Sequence, residues 1–220
     1  KILYLYSEIS PYLEPLFDIL VKRYSADLHV VHLDKNKLTP YKHKEKKGIK
    51  FYRRSEYNFI KINNLVKQIK PDIIFCVGWM DLGYLYSIFN ARRDNINVIC
   101  GFDEIWNNTL KQNFGALLFK IIGNFFYNYA FVSFTLQHEF AKKLGFKNKN
   151  ILMNALSANV NLFNISEKEF KLKTANYPKV FIFVGRLVYE KGLKELIEAY
   201  EIYKNKLNGK WELFLVGNGP

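Results

Sequence analysis

Short apolar runs alternate with amphipathic stretches along the whole chain. The runs at 2–6, 28–33, 72–77, 96–101, 129–134, 180–184 and 211–216 read as strands, with a weaker one at 49–53. Helical spacing fills the intervals at 12–24, 59–70, 81–91, 108–127, 136–144 and 193–207. Asp81 stands where a helix cap belongs, and Leu82, Leu85, Tyr86 and Phe89 follow at i, i+3, i+4 and i+7. Leu193, Leu196, Ile197 and Tyr200 repeat that spacing, while Pro71 ends the helix before the next strand. Strands that are apolar throughout and alternate with helices predict a parallel sheet covered on both faces.

The expected architecture is therefore α/β and doubly wound, with one Rossmann-like parallel-sheet domain over 1–160. The alternation lapses in the polar stretch before Pro178, so 161–178 is expected to be a linker. At 179–220 a strand, a helix and a strand begin a second domain, too short to hold a core by itself. A chain that starts at Lys1 and stops at a turn-forming Pro220 is expected to be a piece of a longer protein.

Of the 220 residues, 49% are apolar, which allows a sizeable core and excludes a disordered chain. Cys76 and Cys100 both lie inside apolar runs, as buried thiols of a reducing compartment do. No signal-peptide pattern opens the chain, and the greasy stretch 115–134, interrupted by Lys120, Asn124 and Asn128, reads as a helix plus a strand. The formal charge of +13 raises nucleic acid, anionic membranes and phosphorylated ligands as partners. Much of it belongs to a composition rich in Lys, Asn, Ile, Phe and Tyr, and no nucleic-acid-binding motif accompanies it. The basic run at 42–50, with Arg53 and Arg54 behind it, reads as a solvated loop; its alternative reading is docking to an anionic bilayer.

The chemistry concentrates in "FVGRLVYEKG", residues 183–192. Gly185 follows an apolar strand and lets the backbone turn close to a ligand. The planar fork of Arg186 grips two phosphate oxygens at once. Lys191 precedes Gly192, where a helix begins and its free N–H groups favour an anion. The neighbouring strand ends in Gly217, Asn218 and Gly219, a second tight turn on the same sheet edge. By spacing alone the pattern fits a solvated strand-to-helix loop as well as a diphosphate cradle.

The segment "FVGRLVYEKGLKELIEAY…WELFLVGNGP" resembles the start of the nucleotide-sugar-binding domain of group 1 glycosyltransferases, family 4 in the common classification, which have the GT-B fold. "SANVNLF" at 157–163 and "LQHEFAKKLGF" at 136–146 are similar to segments that precede the linker in that family, although Ala158 and Asn159 replace its usual glycine. The resemblance implies that Arg186 and Lys191 hold the donor diphosphate, as binders and as electrostatic catalysts. It implies transfer of a sugar from a nucleotide diphosphate to a hydroxyl acceptor, a glycan or glycolipid of a bacterial surface, in the cytoplasm. Retention at the anomeric carbon is the family's leaning. The nucleotide sugar is then a co-substrate, and neither a further cofactor nor a metal is called for. The family's Glu-x(7)-Glu motif would lie beyond Pro220.

Two departures concern the first domain. "SEISPYLEP" stands where many members have a glycine-rich loop, and Asp103 and Glu104 stand where many have a His facing the sugar. Asp103 or Glu104 is accordingly the expected carboxylate near the reacting centre. Ser7, Glu8, Ser10 and Trp79 are the other acceptor-side candidates, with Trp79 read first as a lid on the core and second as a platform for a sugar ring. Asp81 reads as a cap before a base, and none of His29, His32, His43 and His138 reads as a catalyst. Two rival functions remain: a sugar-nucleotide epimerase or phosphorylase of the same architecture, and a non-catalytic nucleic-acid-binding protein.

Overall fold

The structure, a computed structural model, describes residues 1–9, 11–34, 45–156, 160–175 and 177–219. Ser10, His43, residues 42–44 of the basic run and 157–159 of "SANVNLF" lie outside the described residues. The chain forms two compact units, Lys1–Val160 and Asn161–Pro220.

The first unit is built on seven parallel strands: β1 (Ile2–Leu5), β2 (Leu28–His32), β3 (Ile49–Arg53), β4 (Ile73–Val77), β5 (Asn97–Phe102), β6 (Tyr129–Val132) and β7 (Ile151–Leu152). Their order is β3-β2-β1-β4-β5-β6-β7, so the winding reverses between β1 and β4. Five helices cross between them: α1 (Leu13–Tyr24), α2 (Phe59–Ile69), α3 (Leu82–Arg93), α4 (Leu110–Ile122) and α5 (Thr135–Lys143). This is the doubly wound parallel sheet that the apolar runs predict.

Period-two alternation divides each strand between the two faces. Leu3, Leu5 and Val31 pack under Ile62, Val66 and Ile69 of α2 and Tyr84 and Ile88 of α3. Tyr4, Leu28 and Val30 point the other way, onto Leu13 and Phe17 of α1. Tyr4 stacks on Phe75 at 4.7 Å and meets Phe17 edge-on at 5.1 Å. Cys76 and Cys100 are buried register partners on β4 and β5, and neither forms a disulfide. Burial pushes the Cys76 thiol up to about 12.

The second unit holds β8 (Val180–Val184) and β9 (Glu212–Val216), paired in parallel and joined by α7 (Leu193–Lys206). Phe181 packs on Tyr203 and Trp211 at 5.3 and 5.1 Å, which ties helix to strands. The stretch expected to be a linker carries a 3-10 turn at Val160–Phe163 and a helix, α6 (Glu167–Ala175). Ser166 and Glu169 cap α6 reciprocally: the Ser166 hydroxyl accepts from the Glu169 N–H at 3.2 Å, and the carboxylate accepts from the Ser166 N–H at 2.8 Å.

Candidate functional site

In an open parallel sheet, ligands bind beyond the carboxyl ends of the strands, and above all where the winding reverses. Each unit has such a rim.

In the second unit, pairing continues past the ends of β8 and β9. The N–H of Gly185 donates to the Val216 carbonyl at 2.9 Å, and that of Leu187 to the Asn218 carbonyl at 2.8 Å. The two turns therefore lie side by side. A Cβ at Gly217 would fall on the Gly185 carbonyl, and one at Gly219 on that of Leu187, so only glycines permit this approach. After Leu187 the chain makes a 3-10 turn at Tyr189–Lys191 and enters α7 through Gly192, whose φ of 64° is left-handed. No side chain caps α7, which leaves the N–H groups of its first turn open to an anion. Arg186 and Lys191 are exposed, and among the described residues neither side chain has a hydrogen-bond or ion-pair partner. Two unpaired cations and an uncapped helix N-terminus thus share one rim.

In the first unit, a cavity of about 210 Å³ opens at the reversal between β1 and β4. Ser7 and Leu33 line it from β1 and β2, Gly78, Trp79 and Asp81 from β4, and Asp103 and Glu104 from β5. The loop after β4 is fixed from below, where the hydroxyl of buried Tyr127 donates to the Gly78 carbonyl. Trp79 packs against Phe102 and Phe119 at 5.9 and 5.4 Å while presenting an edge to the cavity, so it serves the core and the wall together. Asp103 and Glu104 are exposed, and the Asp103 carbonyl accepts from the Gln137 amide at 2.9 Å. Glu8 is exposed and does not line the cavity.

Asp81 is occupied fully. Its carboxylate accepts from the N–H groups of Gly83 and Tyr84 at 2.8 and 3.0 Å and from the Arg54 guanidinium at 2.8 and 2.9 Å. Burial pushes its pKa up, but Arg54 and the two N–H groups outweigh that and hold it below the usual carboxylate value. It is a structural anion, a role that its sequence position as a cap foretold. Arg54 was legible only as part of a basic run. Here it also lies 5.3 Å over the Tyr84 ring, whose hydroxyl donates to the Tyr6 carbonyl at 3.1 Å. No local pattern marks this partnership, because it joins the end of β3 to the start of α3.

Other cations of the basic run are engaged as well. Lys46 bridges Glu14 and Asp18 at 3.0 Å each, Lys50 meets Asp27 at 3.5 Å, and Arg53 meets Glu56 at 3.9 Å. His29 and His32 are buried on β2, with His29 Nδ1 2.9 Å from the Tyr52 hydroxyl, and His138 lies beside Glu139. None of the three lines the cavity.

Residues 164–220 match the family model described as "Glycosyl transferases group 1". No curated protein matches the chain significantly. Among solved structures, Anabaena HepE in complex with UDP and glucose is similar over 100% of this chain and 61% of its own, with a TM-score of 0.63 and 14% identity. A glycosyltransferase from Rickettsia africae follows with a TM-score of 0.59 and 14% identity, over 98% of this chain and 60% of its own. UDP-N-acetylglucosamine 2-epimerase from Rickettsia bellii gives 0.52 and 12%, over 97% and 62%. The chain spans about three fifths of the length of these proteins. At such identities the likeness establishes a shared α/β fold, and the family rests on the matched segment. Residues 164–220 are thus similar to the group 1 glycosyl transferases, and the chain as a whole shares the α/β fold of the solved structures.

Proposed function

We propose that the protein transfers a sugar from a nucleotide diphosphate to a hydroxyl acceptor. The observation that carries this reading is the pair of unpartnered cations, Arg186 and Lys191, beside the uncapped N-terminus of α7. In the reaction the bond between the anomeric carbon and the diphosphate oxygen breaks, and its electron pair stays on the diphosphate. A new bond forms between that carbon and the acceptor oxygen, whose proton passes to a carboxylate. Arg186, Lys191 and the α7 N–H groups stabilise the growing negative charge, so they favour the transition state over the ground state. Asp103 or Glu104 is the proton acceptor in this scheme, because both oxygens of Asp81 are already engaged by Arg54 and the N–H groups of Gly83 and Tyr84.

UDP in HepE supports a uridine nucleotide as donor, and the cavity between β1 and β4 suits an acceptor hydroxyl. A cytoplasmic enzyme that builds a bacterial surface polysaccharide or glycolipid, in contact with a membrane, completes the proposal. A second reading, epimerisation of the nucleotide sugar, is favoured by the Rickettsia bellii neighbour. Acceptor dependence separates the two: a transferase consumes donor only as glycoside forms, whereas an epimerase converts it alone. Arg186→Ala and Lys191→Ala should each lower turnover by roughly a hundredfold or more while leaving the fold intact. Unchanged turnover in either variant contradicts the assigned role.

A further inference from the structure

A second cavity opens at the opposite end of the first unit's sheet. It holds about 470 Å³, within the range of small-molecule pockets, and lies beside the amino ends of β6 and β7, whereas Asp103 and Glu104 stand beyond the carboxyl end of β5. Three cations line it. Arg92 comes from the last turn of α3, and Lys147 and Lys149 come from the connection between α5 and β7. Asn124, Asn150 and Phe146 line it as well, and no Asp or Glu does.

The carbonyl end of a helix attracts a cation by itself, which accounts for the position of Arg92 on α3. It does not account for Lys147 and Lys149, which lie beyond Lys143, the last residue of α5. Among the described residues none of the three cations has an ion-pair partner. The Arg92 Nε is moreover buried without a hydrogen-bond partner. A guanidinium N–H removed from water with no acceptor carries a desolvation cost, which an incoming acceptor relieves. Three like charges around one cavity also repel one another, and an anion between them reverses that. A phosphate group suits the set: it carries roughly two negative charges at neutral pH, and its oxygens match the planar fork of an arginine and the point charges of lysines.

We propose that this cavity binds a small soluble phosphate-bearing molecule, with the phosphate held by Arg92, Lys147 and Lys149 and the remainder against Phe146 and the amides of Asn124 and Asn150. None of these residues belongs to the proposed diphosphate cradle or to the cavity between β1 and β4, and the inference does not rest on sugar transfer.

The test is calorimetric titration with inorganic pyrophosphate, carried out on the Arg186→Ala, Lys191→Ala protein so that the cradle cations contribute nothing. Saturable binding should persist in that background. Adding Lys147→Ala with Lys149→Ala should weaken it by about tenfold or more, as should adding Arg92→Gln. Lys147 and Lys149 are exposed, so the thermal midpoint should stay unchanged in the lysine variant, which remains decisive if Arg92→Gln unfolds the protein. Adding Lys22→Ala with Lys61→Ala, two exposed lysines outside the cavity, should leave binding as it was. Absence of saturable binding, binding that the Lys147 and Lys149 substitutions do not weaken, or an equal loss with Lys22 and Lys61 overturns the proposal. Each of these results reads the same whether or not the protein transfers sugar.

Discussion

Asp81 serves two masters: it caps α3 through Gly83 and Tyr84 and neutralises Arg54. The two roles separate by substitution. Asn still caps a helix but carries no charge, so Asp81→Asn should cost about 1–2 kcal/mol, and Asp81→Ala, which loses both, about 2–4 kcal/mol. The folded protein holds this carboxyl below its ordinary value, so its contribution is complete above the unfolded pKa and is lost as pH falls through the folded one. Urea unfolding of wild type and Asp81→Asn should therefore differ at neutral pH and begin to converge only as pH falls below about 4. A gap that does not change with pH would mean that the ion pair contributes nothing. The cap was readable because residue type and local spacing determine it. Arg54 was not, since its partner is 27 residues away in the chain and only folding brings the two together.

At the scale of elements, the long strands and the amphipathic helices were legible because burial on both sheet faces forces continuous apolar runs and periodic stripes. β7 escaped because it is a two-residue edge strand, Ile151–Leu152, too short to show a pattern. α6 escaped because it has no buried residue and hence no stripe; its capping pair, Ser166 and Glu169, was the available signal. The glycine turns were read from residue type alone, and the structure supplies their reason in the side-by-side course of the two loops. Gly217→Ala should drive a methyl into the Gly185 carbonyl, part the loops beyond β8 and β9, and weaken nucleotide binding by at least about tenfold. Equal affinity for a nucleoside diphosphate in that variant would show that the loop pairing is dispensable.

Over the whole molecule, the charge of +13 says less about partners than its distribution does. Lys46, Lys50, Arg53 and Arg54 are matched to acids within the first unit, whereas Arg186 and Lys191 have no ion-pair partner among the described residues. Unmatched charge is where a ligand gains most, because no internal partner has to be displaced. On that ground the rim of the second unit is the place proposed for a diphosphate. The most direct measurement is calorimetric titration of the protein with UDP and with uridine, repeated on the Arg186→Ala, Lys191→Ala double variant. UDP should bind, uridine should bind at least about a hundredfold more weakly, and the double variant should lose the difference. Equal binding of UDP and uridine, or UDP binding untouched by the double substitution, would contradict the diphosphate cradle and the function built on it.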